Sequence, residues 1–82
     1  MNRLWINTNN RRYYRVHLQR DLLGDWTLTR SWGSLDSHHG QVRSEVVTDE
    51  HRGIQIMHDI SRRRATRGYT EPLTVQYGNM PL

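Results

Sequence analysis

The chain has 82 residues, with twelve basic side chains against eight acidic ones and a formal net charge of +4. At about 100–200 residues per domain this leaves room for a single domain, 1–82, with a thin core and no deep water-free catalytic cavity. Cys is absent, which excludes disulfides, a zinc ribbon and a Cys nucleophile, and no run approaches the ~18 apolar residues that span a membrane.

Leu4-Trp5-Ile6 reads as a short strand, broken by the polar turn Asn7-Thr8-Asn9-Asn10. From Arg12 to Arg20, Tyr14, Val16 and Leu18 alternate with Arg15, His17 and Gln19, the period of a half-buried strand. Asp21 to Asp25 is a turn in which Gly24 can take a positive φ. Trp26 to Trp32 is the next strand, with Trp26 and Leu28 on its core face. Strict alternation would bring Arg30 and Trp32 to that face too. Burying a guanidinium is costly, so a bulge or the strand's end is expected near Arg30.

Gly33 to Gly40 is a loop of small and polar residues. Gln41 to Thr48 is a further strand. Val42, Ser44 and Val46 form one face and Arg43, Glu45 and Val47 the other; Val46 is assigned to the core.

From Asp49 to Arg67 the period becomes helical. Gly53, Ile54, Ile56, Met57 and Ile60 fall within one arc of about 160°. Asp49 or Thr48 caps the start, Arg62, Arg63, Arg64 and Arg67 suit the negative end of the dipole, and Gly68 sits at the C′ position. An i,i+4 ion pair is expected between Asp59 and Arg63. Tyr69 to Tyr77 returns to a strand, with Leu73, Val75 and Tyr77 in alternation and Pro72 at its edge. Residues 78–82 are a tail. The sum is an α+β fold: an antiparallel sheet of about five strands with one helix packed on one face. The predicted core joins Tyr14, Val16, Leu18, Trp26, Leu28, Val46, Ile56, Met57 and Ile60.

All twelve basic residues are Arg, and the isoelectric point is near 10.3. A guanidinium fork grips phosphate in bidentate fashion and stacks on aromatic or base planes. A value above ~9 on a small domain is the usual electrostatic footprint of a nucleic-acid binder. Three Trp and four Tyr offset a mean hydropathy of −0.91 and argue against disorder. Met1 to Tyr14 holds no apolar h-region, so an intracellular, cytoplasmic protein is expected.

No catalytic constellation emerges, and the chain is expected not to be an enzyme. His38 and His39, with nearby arginines, are the sole basis for a distant reading as an acid–base nuclease. Adjacent His side chains seldom converge on one metal, and no third ligand has diagnostic spacing. His51 and His58 lie on one helix face but about 10.5 Å apart. No metal and no cofactor are expected.

The arginines carry the stronger signal. Arg62, Arg63, Arg64 and Arg67 put four guanidiniums into about 1.5 helical turns. Asp59 answers one of them and leaves the rest for phosphate. Arg62 and Arg63 project from the solvent side of the helix, while Arg64 points along its core arc and must snorkel from the last turn. Arg11, Arg12 and Arg15 add basic groups beside the second strand, and Trp32, next to Gly33 and Arg30, has the form of a stacking platform.

The stretch from Arg12-Tyr13-Tyr14-Arg15-Val16-His17-Leu18 through Trp26 to Trp32-Gly33, then Gly40-Gln41-Val42 and Arg62-Arg63-Arg64-Ala65-Thr66-Arg67-Gly68-Tyr69, resembles a WGR domain, above all its bacterial branch. The likeness covers roughly 3–77. It implies a sheet with one helix against it, and DNA binding. In the DNA-damage-sensing poly(ADP-ribose) polymerases the motif Trp packs on a terminal sugar or base and the motif Arg contacts DNA. By this resemblance the Trp falls on Trp32 and the Gly on Gly33. The motif Arg does not carry over, because the position holds Ser34. That removes one charge-assisted contact, worth ~1.5–3 kcal/mol where well formed; Arg30 is the candidate replacement. A late-helix basic residue that touches phosphate in the family falls on Arg64 or Arg67.

The reading is a non-catalytic module for double-stranded DNA or its ends. Arg30, Arg43, Arg62, Arg63, Arg64 and Arg67 would contact phosphate; Trp32 and Gly33 would offer a stacking and close-approach surface. Sequence preference is expected to be weak, since phosphate contacts carry no base information. The alternative is a protein-interaction module that docks a partner protein through its sheet edge or the 33–40 loop. The sequence does not fix the oligomeric state.

Overall fold

The computed structural model describes residues 1–72. Four strands come first, β1 (Asn2–Asn7), β2 (Arg12–Arg20), β3 (Trp26–Ser34) and β4 (Gly40–Val47), and one helix follows, α1 (Glu50–Thr66). The strands form a single antiparallel sheet in the order β1-β2-β3-β4. This is the expected α+β architecture, with four strands among the described residues where about five were expected. After α1 the chain returns to β1, where Ile6 and Thr70 exchange two backbone hydrogen bonds of 2.8 Å. The rest of the expected last strand, with Leu73, Val75 and Tyr77, lies outside the described residues, as does the tail.

Short polar side chains hold the turns. Asn7 is buried, accepts from the backbone N–H groups of Asn9 and Asn10, and donates to the Arg67 carbonyl at 3.1 Å. One amide therefore ties the first turn to the end of the helix. Asp21 accepts from Leu23 and Asp25, with Gly24 at φ +89° between them.

The helix bounds follow their sequence signals. Asp49 caps the N-terminus by accepting from the Arg52 N–H at 2.8 Å. At the other end Gly68 takes φ +87°. Its N–H donates to the Ala65 carbonyl and that of Tyr69 donates to the Arg64 carbonyl, the paired bonds of a Schellman ending. Gly53, Met57 and Ile60 are buried against the sheet. Gly53 is there because the helix comes close: a Cβ would stand 2.5 Å from a Leu18 methyl.

The core is Trp5, Val16, Leu18, Leu28, Val47, Met57 and Ile60, with Tyr14, Trp26, Ile54, Ile56 and Tyr69 packed partly buried around it. Two expectations are corrected. Val46 is 66% exposed and Val47 is buried instead. The register explains it: Trp26 lies opposite Val47 and Leu28 opposite Glu45, so Arg43, Glu45 and Val47 share the helix-side face. Apolar content alone had pointed to the other face. Second, no bulge interrupts β3 at Arg30; its pairing with β4 runs unbroken to Gly33 opposite Gly40. Arg30 stays on the inner face because α1 leaves that part of it open. Its guanidinium is partly exposed and donates to Glu45 at 2.8 Å.

Candidate nucleic-acid interface

The register places Tyr14, Arg30, Trp32, Gln41 and Arg43 on one face of the sheet, the face that α1 packs against. The helix covers only part of it. Gln41, Arg43 and Glu45 are exposed, and Arg30 and Trp32 are half-buried. An open corner of the sheet therefore carries one Trp and two guanidiniums.

Trp32 is the outermost plate of a column. Its ring stacks on Tyr14, with centroids 5.9 Å apart and planes 15° from parallel. Tyr14 in turn meets Trp5 in a tilted contact at 6.4 Å. Above Tyr14 lies the Arg64 guanidinium, 4.6 Å from its ring and 5.1 Å from the ring of Tyr69. Offset stacks and cation–π contacts of this kind fix ring orientation as well as adding stability. Trp32 is thus held rigid from behind, and the column reaches from β1 to the last turn of the helix.

Beside Trp32, a shallow depression at the mouth of the β3–β4 loop is lined by Arg12, Trp32, Ser34, His39 and Gln41. The loop is pinned. Arg11 forks onto Asp36 with two 2.8 Å hydrogen bonds, and the Leu35 N–H donates to the Arg11 carbonyl. Those bonds from Arg11 hold the Asp36 carboxyl below its ordinary range. Arg30 stays charged: burial opposes its charge, but hydrogen bonding to Glu45 and the neighbouring Tyr14 outweigh that and raise its pKa.

The other arginines divide. Arg62, Arg63 and Arg67 line one shallow groove along the end of α1, together with Asp59 and Thr66. Asp59 pairs with Arg62 at i,i+3 rather than with Arg63 at i,i+4, so Arg63 is the one left unanswered by it. Arg64 points the other way, into the aromatic column. Its Nε is buried with no hydrogen-bond partner among the described residues.

Gly33 is buried. Its open side faces away from the helix, where the Tyr13 ring occupies the space: a Cβ at Gly33 would stand 3.3 Å from that ring, and one at Gly40 2.6 Å from the Tyr13 hydroxyl. The close approach that these two glycines permit is therefore made by Tyr13, an aromatic lying across paired glycines. Tyr13 and Tyr14, which the sequence presents as neighbours, serve opposite faces. The depression beside Trp32 was missed from sequence; Arg12 was legible as a basic group of the second strand, and its two-residue spacing from Tyr14 is what puts it on the Trp32 face.

His38 and His39 are exposed, and among the described residues no three His, Cys, Asp or Glu side chains gather as a metal site. No described helix is long and apolar enough to cross a membrane.

A small antiparallel sheet backed by one helix, with an arginine-flanked aromatic rim, defines a compact α+β domain. The chain matches the WGR domain family over residues 1–76, and it belongs to that family. WGR domains are small binding modules, not catalytic in themselves, associated in general with nucleic acids. The chain is also 31% identical over 67 residues to a protein of Sinorhizobium fredii (strain NBRC 101917 / NGR234) called "Uncharacterized protein y4dW". That alignment covers 82% of this chain but only 32% of the relative's length. No solved structure matches the chain.

Proposed function

We propose that this chain is a non-catalytic module that binds double-stranded DNA, favouring ends or nicks. Arg62, Arg63 and Arg67 supply phosphate contacts from the helix groove, and Arg30 and Arg43 supply them from the sheet. Trp32 packs on a terminal sugar or base. The observation that carries this reading is the half-buried Trp32, braced by Tyr14 and flanked by Arg30 and Arg43 on a face the helix leaves partly open. A braced aromatic loses little conformational freedom when a base stacks on it, so more of the stacking energy remains for binding. Gly33 acts at one remove, by letting Tyr13 set the strand that carries Trp32. Arg64 braces the column and is the least suited of the six arginines to meet phosphate directly. This reading places the protein in the cytoplasm with its DNA.

The test is binding of the full chain to blunt, nicked and single-stranded DNA, with RNA as comparison. Tighter binding to nicked and blunt duplex than to an uninterrupted circular duplex supports the reading; equal binding to all of them removes the role of Trp32. Docking of a partner protein is the second reading, favoured by the open edge of β4, and no affinity for any nucleic acid at low salt would make it the first.

A further inference from the structure

Strand β4 is the free edge of the sheet among the described residues. Natural sheet edges are usually blunted by Pro, a bulge, very short length or charged side chains, inward-pointing ones included, because an unpaired row of N–H and C=O groups invites another strand. β4 carries two such charges, Arg43 and Glu45, but of opposite sign, so they disfavour most incoming strands and match a reversed copy of β4. β4 runs eight residues in unbroken register with β3, without Pro. Every residue from Gly40 to Val46 is exposed. Val42 and Val46 stand 70% and 66% exposed on the face away from the helix.

We propose that two copies of this chain pair antiparallel through their β4 edges, about a two-fold axis at Ser44. The segment Val42-Arg43-Ser44-Glu45-Val46 complements itself when reversed. About that axis Val42 lies opposite the partner's Val46, Arg43 opposite the partner's Glu45, and Ser44 opposite the partner's Ser44. Opposite charges and β-branched pairs are the favourable cross-strand combinations. Other symmetric registers lack this. Centring on Arg43 sets two guanidiniums against each other, and centring on Glu45 sets two carboxylates together.

The charges within one chain favour the same register. Arg30 and Arg43 face each other directly across β3 and β4, a like-charge pair. Arg30 is answered by Glu45, whereas Arg43 has no carboxylate partner among the described residues. In the dimer the partner's Glu45 comes to Arg43. The axis is perpendicular to the sheet, so both helices and both Trp32 faces lie on one side of a continuous sheet, to which each copy brings its four described strands. The contact is isologous, so it closes at two copies and does not propagate.

Sedimentation of the full chain without nucleic acid, from low micromolar to near-millimolar concentration, tests this. The mass is expected to rise from 9.8 kDa toward twice that value. Arg43→Glu is expected to weaken dimerisation at least ~10-fold, as is Glu45→Arg, because each sets like charges together. The double variant is expected to restore it to within ~3-fold of the original. Arg43→Glu leaves the fold supported, since it places a carboxylate opposite Arg30. Val42→Lys, at an exposed position in neither charge pair, should weaken the dimer as well. A mass fixed at one copy throughout, single variants that dimerise unchanged, or a charge swap that fails to restore the dimer would each overturn the proposal. Because no nucleic acid is present, such a result leaves the DNA-binding reading untouched.

Discussion

The Arg64 guanidinium lies between the rings of Tyr14 and Tyr69, 4.6 Å from one and 5.1 Å from the other. A guanidinium is weakly hydrated and planar, so two aromatic faces can replace much of the water it gives up. Tyr14 stacks in turn on Trp32. The one arginine of the run that helical spacing puts on the core arc is therefore the strut that joins the helix end to the candidate stacking platform.

Arg64→Ala should cost about 1–3 kcal/mol of stability, from the lost cation–π contacts and stem packing. Arg62→Ala, on the open side, should stay within about 0.5 kcal/mol. Urea unfolding of both variants checks the difference. Arg64→Lys should fall between them, because an ammonium has no plane to stack. Equal stability of the Arg64→Ala and Arg62→Ala variants would show that the column carries no weight.

Trp32→Ala should reduce affinity for ended or nicked duplex by about 1–3 kcal/mol, the usual worth of a base stack. It should leave the salt dependence unchanged, since no charge is lost. It should also cost about 0.5–1.5 kcal/mol of fold stability, the worth of its stack on Tyr14. Arg62→Gln with Arg63→Gln should act in reverse, weakening all duplex forms alike and flattening the salt slope by about 0.9 per lost contact. Competition binding on matched circular and nicked duplexes separates the two patterns.

Gly40→Ala would bring a Cβ 2.6 Å from the Tyr13 hydroxyl and 3.1 Å from the Trp32 carbonyl. Overpacking of this kind should cost about 1–3 kcal/mol. Tyr13→Phe removes the closest atom of the clash, so the double variant should recover part of the loss. A thermal-unfolding double-mutant cycle should give a coupling of about 1 kcal/mol; strict additivity would mean that Tyr13 does not lie over Gly40.

Asp36 is hydrogen-bonded by Arg11, which lowers its pKa below the ordinary 3.8. A carboxyl depressed in the folded state contributes its stabilisation above the unfolded value and loses it as pH falls through the folded one. The 33–40 loop should therefore stay pinned through neutral and mildly acidic pH and loosen only below 3.8. Carboxyl NMR titration of Asp36 checks this, and a midpoint at or above 3.8 would contradict the pairing. Asp36→Asn should loosen the loop at every pH.

Much of this architecture can be read from residues alone, and where it cannot the reasons are physical. The helix was legible at both ends because capping and periodicity agree: Asp49 accepts the hydrogen bond expected of a cap, and Gly68 takes the positive φ expected at C′. Strand β4 was legible as a strand but not in its facing. Both of its faces carry Val, and only the pairing of Trp26 with Val47 decides which is inner. Trp5 reads only as part of a short strand, yet it is 2% exposed, because its register opposite Tyr14 puts it on the helix-side face, in the cluster that holds Met57 and Ile60. At the candidate site the residue types were legible, and so was the split of the arginine run. The 100° step per residue puts Arg62 and Arg63 on the solvent side and Arg64 on the core arc, and the first two do flank a groove while the third enters the aromatic column; that Tyr14 and Tyr69 receive it depends on long-range packing and was not legible.

Salt titration of binding to a short blunt duplex tests the central claim most directly. With about 4–5 phosphates neutralised, log K should fall against log salt with a slope near −4, from about −0.9 per phosphate. A slope near zero, or no binding even at low salt, would contradict the account, because these arginines would then not be meeting a polyanion.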